Sequence, residues 1–218
     1  MLRWNGCPPA TAREQQTATH AWTDSDRGIE MLRLMLLRHA KAAWPRDVQD
    51  QDRPLAERGR KAAPLMGAYL AQENLLPDLA IVSPAARTRQ TWDLVNAALG
   101  KAFPGETIPV VYEPRIYEAK VEDLLHVIQD EHAVQDNRPA HSLLLVGHNP
   151  GFEELAHMLV SHGDRYAFAR LSQKYPTGGL AVIDFNVGSW AEVTPRSGRL
   201  DRFITPRALE GMAEDNED

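Results

Sequence analysis

The sequence predicts an α/β fold, a three-layer domain whose largely parallel central sheet is flanked by helices. Three observations lead there. Short apolar runs, each bounded by Pro, Gly or a charged residue, read as strands buried on both faces. The stretches between them place apolar residues three and four apart, the spacing of a helix with one buried face. The two patterns alternate along the chain, and alternating strands and helices pack as a parallel sheet covered on both sides.

In chain order, "LRLMLL" at 32–37 is the first predicted strand, followed by a helix over "LAERGRKAAPLMGAYLAQEN" at 55–74. Pro64 interrupts that helix and is expected to kink it, because it lacks the N–H that the helical ladder needs. "DLAIV" at 78–82 and "TIPVVY" at 107–112 are the next strands, with a helix over "AARTRQTWDLVNAALG" at 85–100 between them. A third helix is predicted over "VEDLLHVIQDEH" at 121–132, a fourth strand over "SLLLVG" at 142–147 and a fourth helix over "GFEELAHMLVSH" at 151–162. "GLAVIDF" at 179–185 and "SWAEVTP" at 189–195 are expected to form an antiparallel edge hairpin.

Composition limits the function. A chain of 218 residues with 43% hydrophobic and 25% charged residues suits one globular domain. Its formal net charge of -6 lacks the basic footprint expected of a protein that binds nucleic acid or an anionic membrane, so any phosphate site must be local. Cys7 is the only cysteine, which rules out an intramolecular disulfide and a cysteine-rich metal knuckle and fits a reducing cytoplasm. No apolar run approaches the roughly 18 residues needed to span a bilayer. Residues 1–30 have neither the hydrophobic core of a secretory signal nor a defensible period and read as a disordered extension. Met31 directly precedes the first strand, so an over-extended start of translation is one explanation of that segment. The acidic end, "RALEGMAEDNED", reads as a frayed tail over 207–218, leaving 31–206 as the working domain.

In sheets of this kind ligands bind beyond the carboxyl ends of the strands. Polar groups gather at those ends: Arg38 and His39 after the first strand, "SPAARTRQT" with Arg87 and Arg89 after the second, "RIYEAKVED" after the third, and "VGHNPGFEEL" with His148 after the fourth. Each has a structural reading of its own. An Arg-His pair arises by chance, Ser83-Pro84 suits the start of a helix with Ser83 as its cap, and "GHNPG" suits a turn. Two histidines that directly follow apolar strands, with Arg87 in the first turn after another, are much harder to attribute to chance.

The order Arg-His, then Ser-Pro-x-x-Arg with Thr91 four residues on, then Gly-His-Asn-Pro resembles the histidine phosphatase superfamily, also called phosphoglycerate-mutase-like. "LLRHAKAAW", "DRPLAERGR", "SPAARTRQT", "LLLVGHNPGFEEL" and "PTGGLAVIDF" are most similar to its short SixA-type phosphohistidine phosphatase branch. Ala40 stands where the wider superfamily has Gly. The resemblance implies a phosphoglycerate-mutase-like fold and a phosphatase without metal or cofactor, in which His39 is the nucleophile and a phosphohistidine the intermediate. It also implies that Arg38 and Arg87 grip the phosphate and that a protonated His148 donates to the phosphoryl group. Gly147 would let the backbone come close, and Asn149 would add a substrate contact beside a helix N-terminus.

That chemistry suits these residue types. Phosphoryl transfer needs an in-line nucleophile and neutralisation of charge on the non-bridging oxygens, and forked guanidinium donors hold two such oxygens at once. Glu118 is the positional candidate for the acid that protonates the leaving group, set against a plain loop or capping role, and Asp52 is a weaker one. Lys41, Arg46, Arg53 and Arg89 are candidates for the pocket rim, with solvated surface as the plainer reading, and Tyr117, Pro176, Thr177 and Gly178 for the substrate mouth. His157 and His162 lack partners with metal-ligand spacing. The expected substrate is a phosphorylated protein carrying phosphohistidine. A small phosphorylated molecule is the alternative, and a noncatalytic phosphate-binding module the remaining reading.

Overall fold

The computed structural model describes residues 31–130 and 138–214; the predicted extension over 1–30 lies outside them. Seven strands form one sheet: β1 (Leu32–Arg38), β2 (Leu79–Val82), β3 (Val110–Tyr112), β4 (Ser142–Gly147), β5 (Val160–Gly163), β6 (Leu180–Phe185) and β7 (Gly198–Ile204). Their spatial order is β3-β2-β4-β1-β6-β7-β5. The pairs β3/β2, β2/β4, β4/β1 and β5/β7 run parallel, while β6 is antiparallel to both β1 and β7.

The helices are α1 (Glu57–Gln72), α2 (Ala86–Ala102), α3 (Val121–Gln129), α4 (Gly151–Leu159), α5 (Arg165–Gln173) and α6 (Pro206–Glu214). The period-2 alternation of the strands sorts their side chains between two cores. Leu34, Leu36, Leu143 and Leu145 meet Leu124, Phe152, Leu155 and Leu171 from α3, α4 and α5. Met35, Leu37, Leu144 and Val146 meet Met66, Leu70, Trp92 and Val95 from α1 and α2 on the opposite face. This is the three-layer α/β arrangement, and it explains why the central strands are uninterrupted apolar runs: both faces are buried.

Several elements differ from the sequence expectation. α1 continues through Pro64. Its buried face, with Ala63, Met66 and Leu70, is held against α2, and a Cβ at Gly67 would come within 2.6 Å of the Val95 carbonyl oxygen, so the two helices touch backbone to backbone. The partner of β6 is "GRLDRFI", not "SWAEVTP"; the latter contains a short 3-10 turn at Trp190–Glu192. β6 is also interior, between β1 and β7, instead of lying at an edge. α4 ends at Leu159, and β5 takes Val160 to Gly163. The acidic end is helical as far as Glu214, with Ala208 and Leu209 packed against the core that includes Met66 and Leu70. Among the described residues, no helix is long and apolar enough to cross a membrane.

Candidate active site

β1 and β4 are neighbours, so their carboxyl ends bring Arg38-His39 and His148 together. The ladder runs one step past β1: the His39 N–H donates to the Gly147 carbonyl at 3.0 Å. The Gly178 N–H then reaches the carbonyls of both Arg38 and His39, each at 3.1 Å, and the chain leaves strand geometry there. Gly178 has φ +77°, a conformation that favours glycine. Successive residues that would point to opposite faces of a strand therefore both line one cleft.

The cleft has a volume of about 790 Å³. Arg38, His39, Arg87, Glu118, His148 and Asn149 all line it, so the residues nominated from sequence converge. Lys41, Arg53 and Thr177 line it as well. Arg46, Arg89, Asp52, Tyr117, Pro176 and Gly178 are not among its walls; Gly178 acts through its backbone, Tyr117 lies against His148, and Arg89 lies over the Tyr112 ring, 5.2 Å from its centroid.

His39 Nδ1 lies 2.7 Å from the Ala40 carbonyl oxygen. A carbonyl only accepts, so Nδ1 carries the proton and Nε2 keeps its lone pair. Burial, joined by the positive charges of Arg87, Arg38 and Arg53, pushes the His39 pKa down to about 4. His39 is thus neutral at neutral pH, as attack by a ring nitrogen requires. His148 Nε2 lies 2.8 Å from Ser83 Oγ, and its buried Nδ1 has no partner. Burial, His39 and Arg87 push its pKa down to about 3, so the protein's own groups leave His148 neutral at neutral pH.

Ser83 also departs from expectation. α2 starts at Ala86 with Ala85 in the capping position, and the Ser83 hydroxyl serves His148 instead. Gly147 makes room for a side chain: a Cβ there would meet the Phe152 ring at 2.5 Å.

Arg38 donates Nη1 to the Tyr175 carbonyl at 2.6 Å, and its buried Nε has no partner. Asn149 donates to Glu153 at 2.8 Å and to the Tyr175 carbonyl at 3.2 Å, while its buried Oδ1 has none. Buried polar groups without partners are uncommon, and these three belong to residues that line the cleft together with Arg87. The N-terminus of α4 opens on the same cleft through Pro150 and Gly151. Such a combination suits an anion.

Sequence reading missed Asp50, two residues before the weaker candidate Asp52. Its carboxylate accepts from Arg53 Nη1 at 2.6 Å, Arg87 Nη2 at 2.9 Å and the Tyr117 hydroxyl at 2.9 Å. Burial opposes its charge, but the bonds from Arg53, Tyr117 and Arg87 prevail and hold its pKa at about 2. Trp44 was also missed; it lines the cleft with Arg53 stacked on its ring. Glu118 is exposed on the cleft wall at φ +52°. His157 and His162 lie on α4 and β5, away from the cleft walls. Among the described residues, no group of three or more His, Cys, Asp or Glu is placed to hold a metal ion.

Comparison with known proteins gives the family and the fold. Residues 34–183 match the family described as histidine phosphatase superfamily (branch 1). An uncharacterized Mycobacterium tuberculosis protein is 38% identical over 173 residues, which make up 78% of this chain and 100% of that protein. A structure assigned as the phosphohistidine phosphatase SixA of Agrobacterium tumefaciens is 32% identical with a TM-score of 0.62, covering 80% of this chain and 99% of that one. A second such assignment, from Nakamurella multipartitia, is 28% identical with the same TM-score, covering 81% of this chain and 96% of that one. The chain belongs to the histidine phosphatase superfamily, in its SixA-type branch, and is a phosphatase by family.

Proposed function

We propose that the protein is a phosphatase in which His39 Nε2 attacks phosphorus, and that its substrate is phosphohistidine on a protein. The observation carrying this reading is the hydrogen bond from His39 Nδ1 to the Ala40 carbonyl, which leaves Nε2 unprotonated in a cleft bordered by Arg38 and Arg87. As the N–P bond forms, the bond from phosphorus to the leaving group breaks and the leaving atom takes a proton. Water then attacks the phosphohistidine, releasing inorganic phosphate and restoring neutral His39. Arg38 and Arg87 hold the non-bridging oxygens. The dianion would raise the pKa of His148, so the proton it donates arrives with the substrate.

The leaving group favours a phosphoramidate. Imidazole has a conjugate-acid pKa near 6.5 and departs readily, whereas an alkoxide needs a strong acid beside it. Asp50, on the cleft wall, is ionised and engaged by three donors. Exposed Glu118 supports the second reading, a phosphomonoesterase for a small molecule.

The test compares kcat/KM on a phosphohistidine protein with that on a panel of sugar phosphates. Preference for the former is expected, and efficient turnover of a sugar phosphate alone would overturn it. Equal failure on both, with retained phosphate binding, would favour a noncatalytic module.

A further inference from the structure

Asp50 is an ionised side chain in the cleft that the reaction above leaves without a role. It sits at the start of the 3-10 turn Asp50–Asp52 and takes the outer end of the Arg87 fork. Arg87 Nη1 donates to its carbonyl oxygen at 2.6 Å, and Nη2 donates to its carboxylate at 2.9 Å. A guanidinium has five N–H donors, and these bonds use one from each terminal nitrogen. Nε–H and the second hydrogen of Nη2 form the remaining edge, a pair spaced for two oxygens of a tetrahedral anion. The Tyr117 hydroxyl donates to the same carboxylate oxygen, and the Tyr117 ring stands edge-on to His148 with centroids 5.4 Å apart. Arg53 fixes the other oxygen at 2.6 Å and is itself tied to the Ala43 carbonyl.

We propose that Asp50 is a positioning residue: it holds the outer end of Arg87 so that the free guanidinium edge faces the phosphoryl group, and it holds the Tyr117 ring against His148. The proposal rests on the reading of Arg87 as a phosphate ligand. Its opposite is that Asp50 competes with phosphate for Arg87. The two differ in sign, because removing a competitor tightens phosphate binding and removing a support weakens it.

The experiment measures p-nitrophenyl phosphate hydrolysis, its inhibition by inorganic phosphate, and the thermal midpoint for wild type, Asp50→Asn, Arg87→Ala and the double variant. Asp50→Asn is expected to lower kcat/KM and weaken phosphate inhibition by about 10- to 100-fold, the scale of a misplaced catalytic group. In the Arg87→Ala background the same change is expected to have almost no further effect, since a support matters only through what it supports. Equal effects in both backgrounds, or tighter phosphate inhibition in Asp50→Asn, would overturn the proposal. If Asp50→Asn does not fold, Asp50→Glu keeps the charge on a longer stem and is expected to show the same dependence on Arg87. Unchanged activity in Arg87→Ala would instead remove the phosphate-ligand reading itself.

Discussion

The rings of His39 and His148 face each other with centroids 5.3 Å apart and planes tilted by 56°. Burial beside Arg38 and Arg87 opposes a positive charge on either ring, and His39 adds to that opposition at His148. Hence the pKa of each is pushed below its usual value, to about 4 for His39 and about 3 for His148.

A stability dependence follows. The unfolded chain takes up protons on these residues near pH 6.5, while the folded chain resists until its lower pKa values are reached. The pair therefore leaves stability untouched above about pH 6.5 and subtracts from it as the pH falls towards 4 and 3, by up to roughly 1.4 kcal/mol per histidine per pH unit. Urea unfolding at pH 7 and pH 5 should show a smaller loss in a His39→Gln, His148→Gln double variant than in wild type. Identical losses would contradict the burial of two neutral histidines. Inorganic phosphate should reduce the wild-type loss, because an anion in the cleft favours the protonated form.

The central strands were legible because burial on both faces writes them as unbroken apolar runs, and the chemistry at their ends stands out against that background. β7 was not, since "GRLDRFI" carries Arg199, Asp201 and Arg202 within it and its pairing to β6 is non-local. α6 was hidden by its acidic neighbours, and the end of α4 by apolar residues that continue directly into β5. In the site, the two histidines and two arginines could be read from their places after strands. Asp50 could not: the segment "KAAWPRDVQDQDR" has no period, and three acids compete within it. Which one meets Arg87 is decided by the loop's path alone. The neutral state of His148 also depends on depth, which a motif does not encode.

His39→Ala should reduce phosphatase turnover by at least about 10³-fold, the order seen when a nucleophile is removed. The thermal midpoint should hardly move, because the His39 ring contributes to the cleft and belongs to neither hydrophobic core. Rapid quench with a labelled substrate should trap an acid-labile phosphoenzyme in wild type and none in the variant. Substantial residual turnover would move the nucleophile elsewhere.

Chelation gives a separate check on charge supply. Two guanidinium groups, with a His148 that gains its proton from the anion's field, can neutralise a phosphoryl dianion without help from a divalent ion. Turnover after dialysis against EDTA should match that of the untreated protein. Loss on chelation, restored by one divalent ion, would require a metal in the cleft.

Glu118 decides between the two substrate classes. It is exposed on the cleft wall, so its reach to a leaving group depends on how the substrate fills the space above His39. If it is the general acid of a phosphomonoesterase, Glu118→Gln should slow alkyl phosphate hydrolysis by the roughly 10²- to 10⁴-fold typical of proton-transfer catalysis. It should then leave p-nitrophenyl phosphate almost unaffected, since that leaving group departs without a proton. For a phosphohistidine phosphatase, the wild type is already poor on alkyl phosphates and the substitution changes phosphohistidine turnover little, because imidazole needs no strong acid. The ratio of kcat/KM for alkyl phosphate and phosphohistidine protein, measured in both proteins, separates these cases. A ratio that is low and nearly the same in both is expected, whereas a high wild-type ratio that collapses in Glu118→Gln would assign the cleft to small phosphate esters.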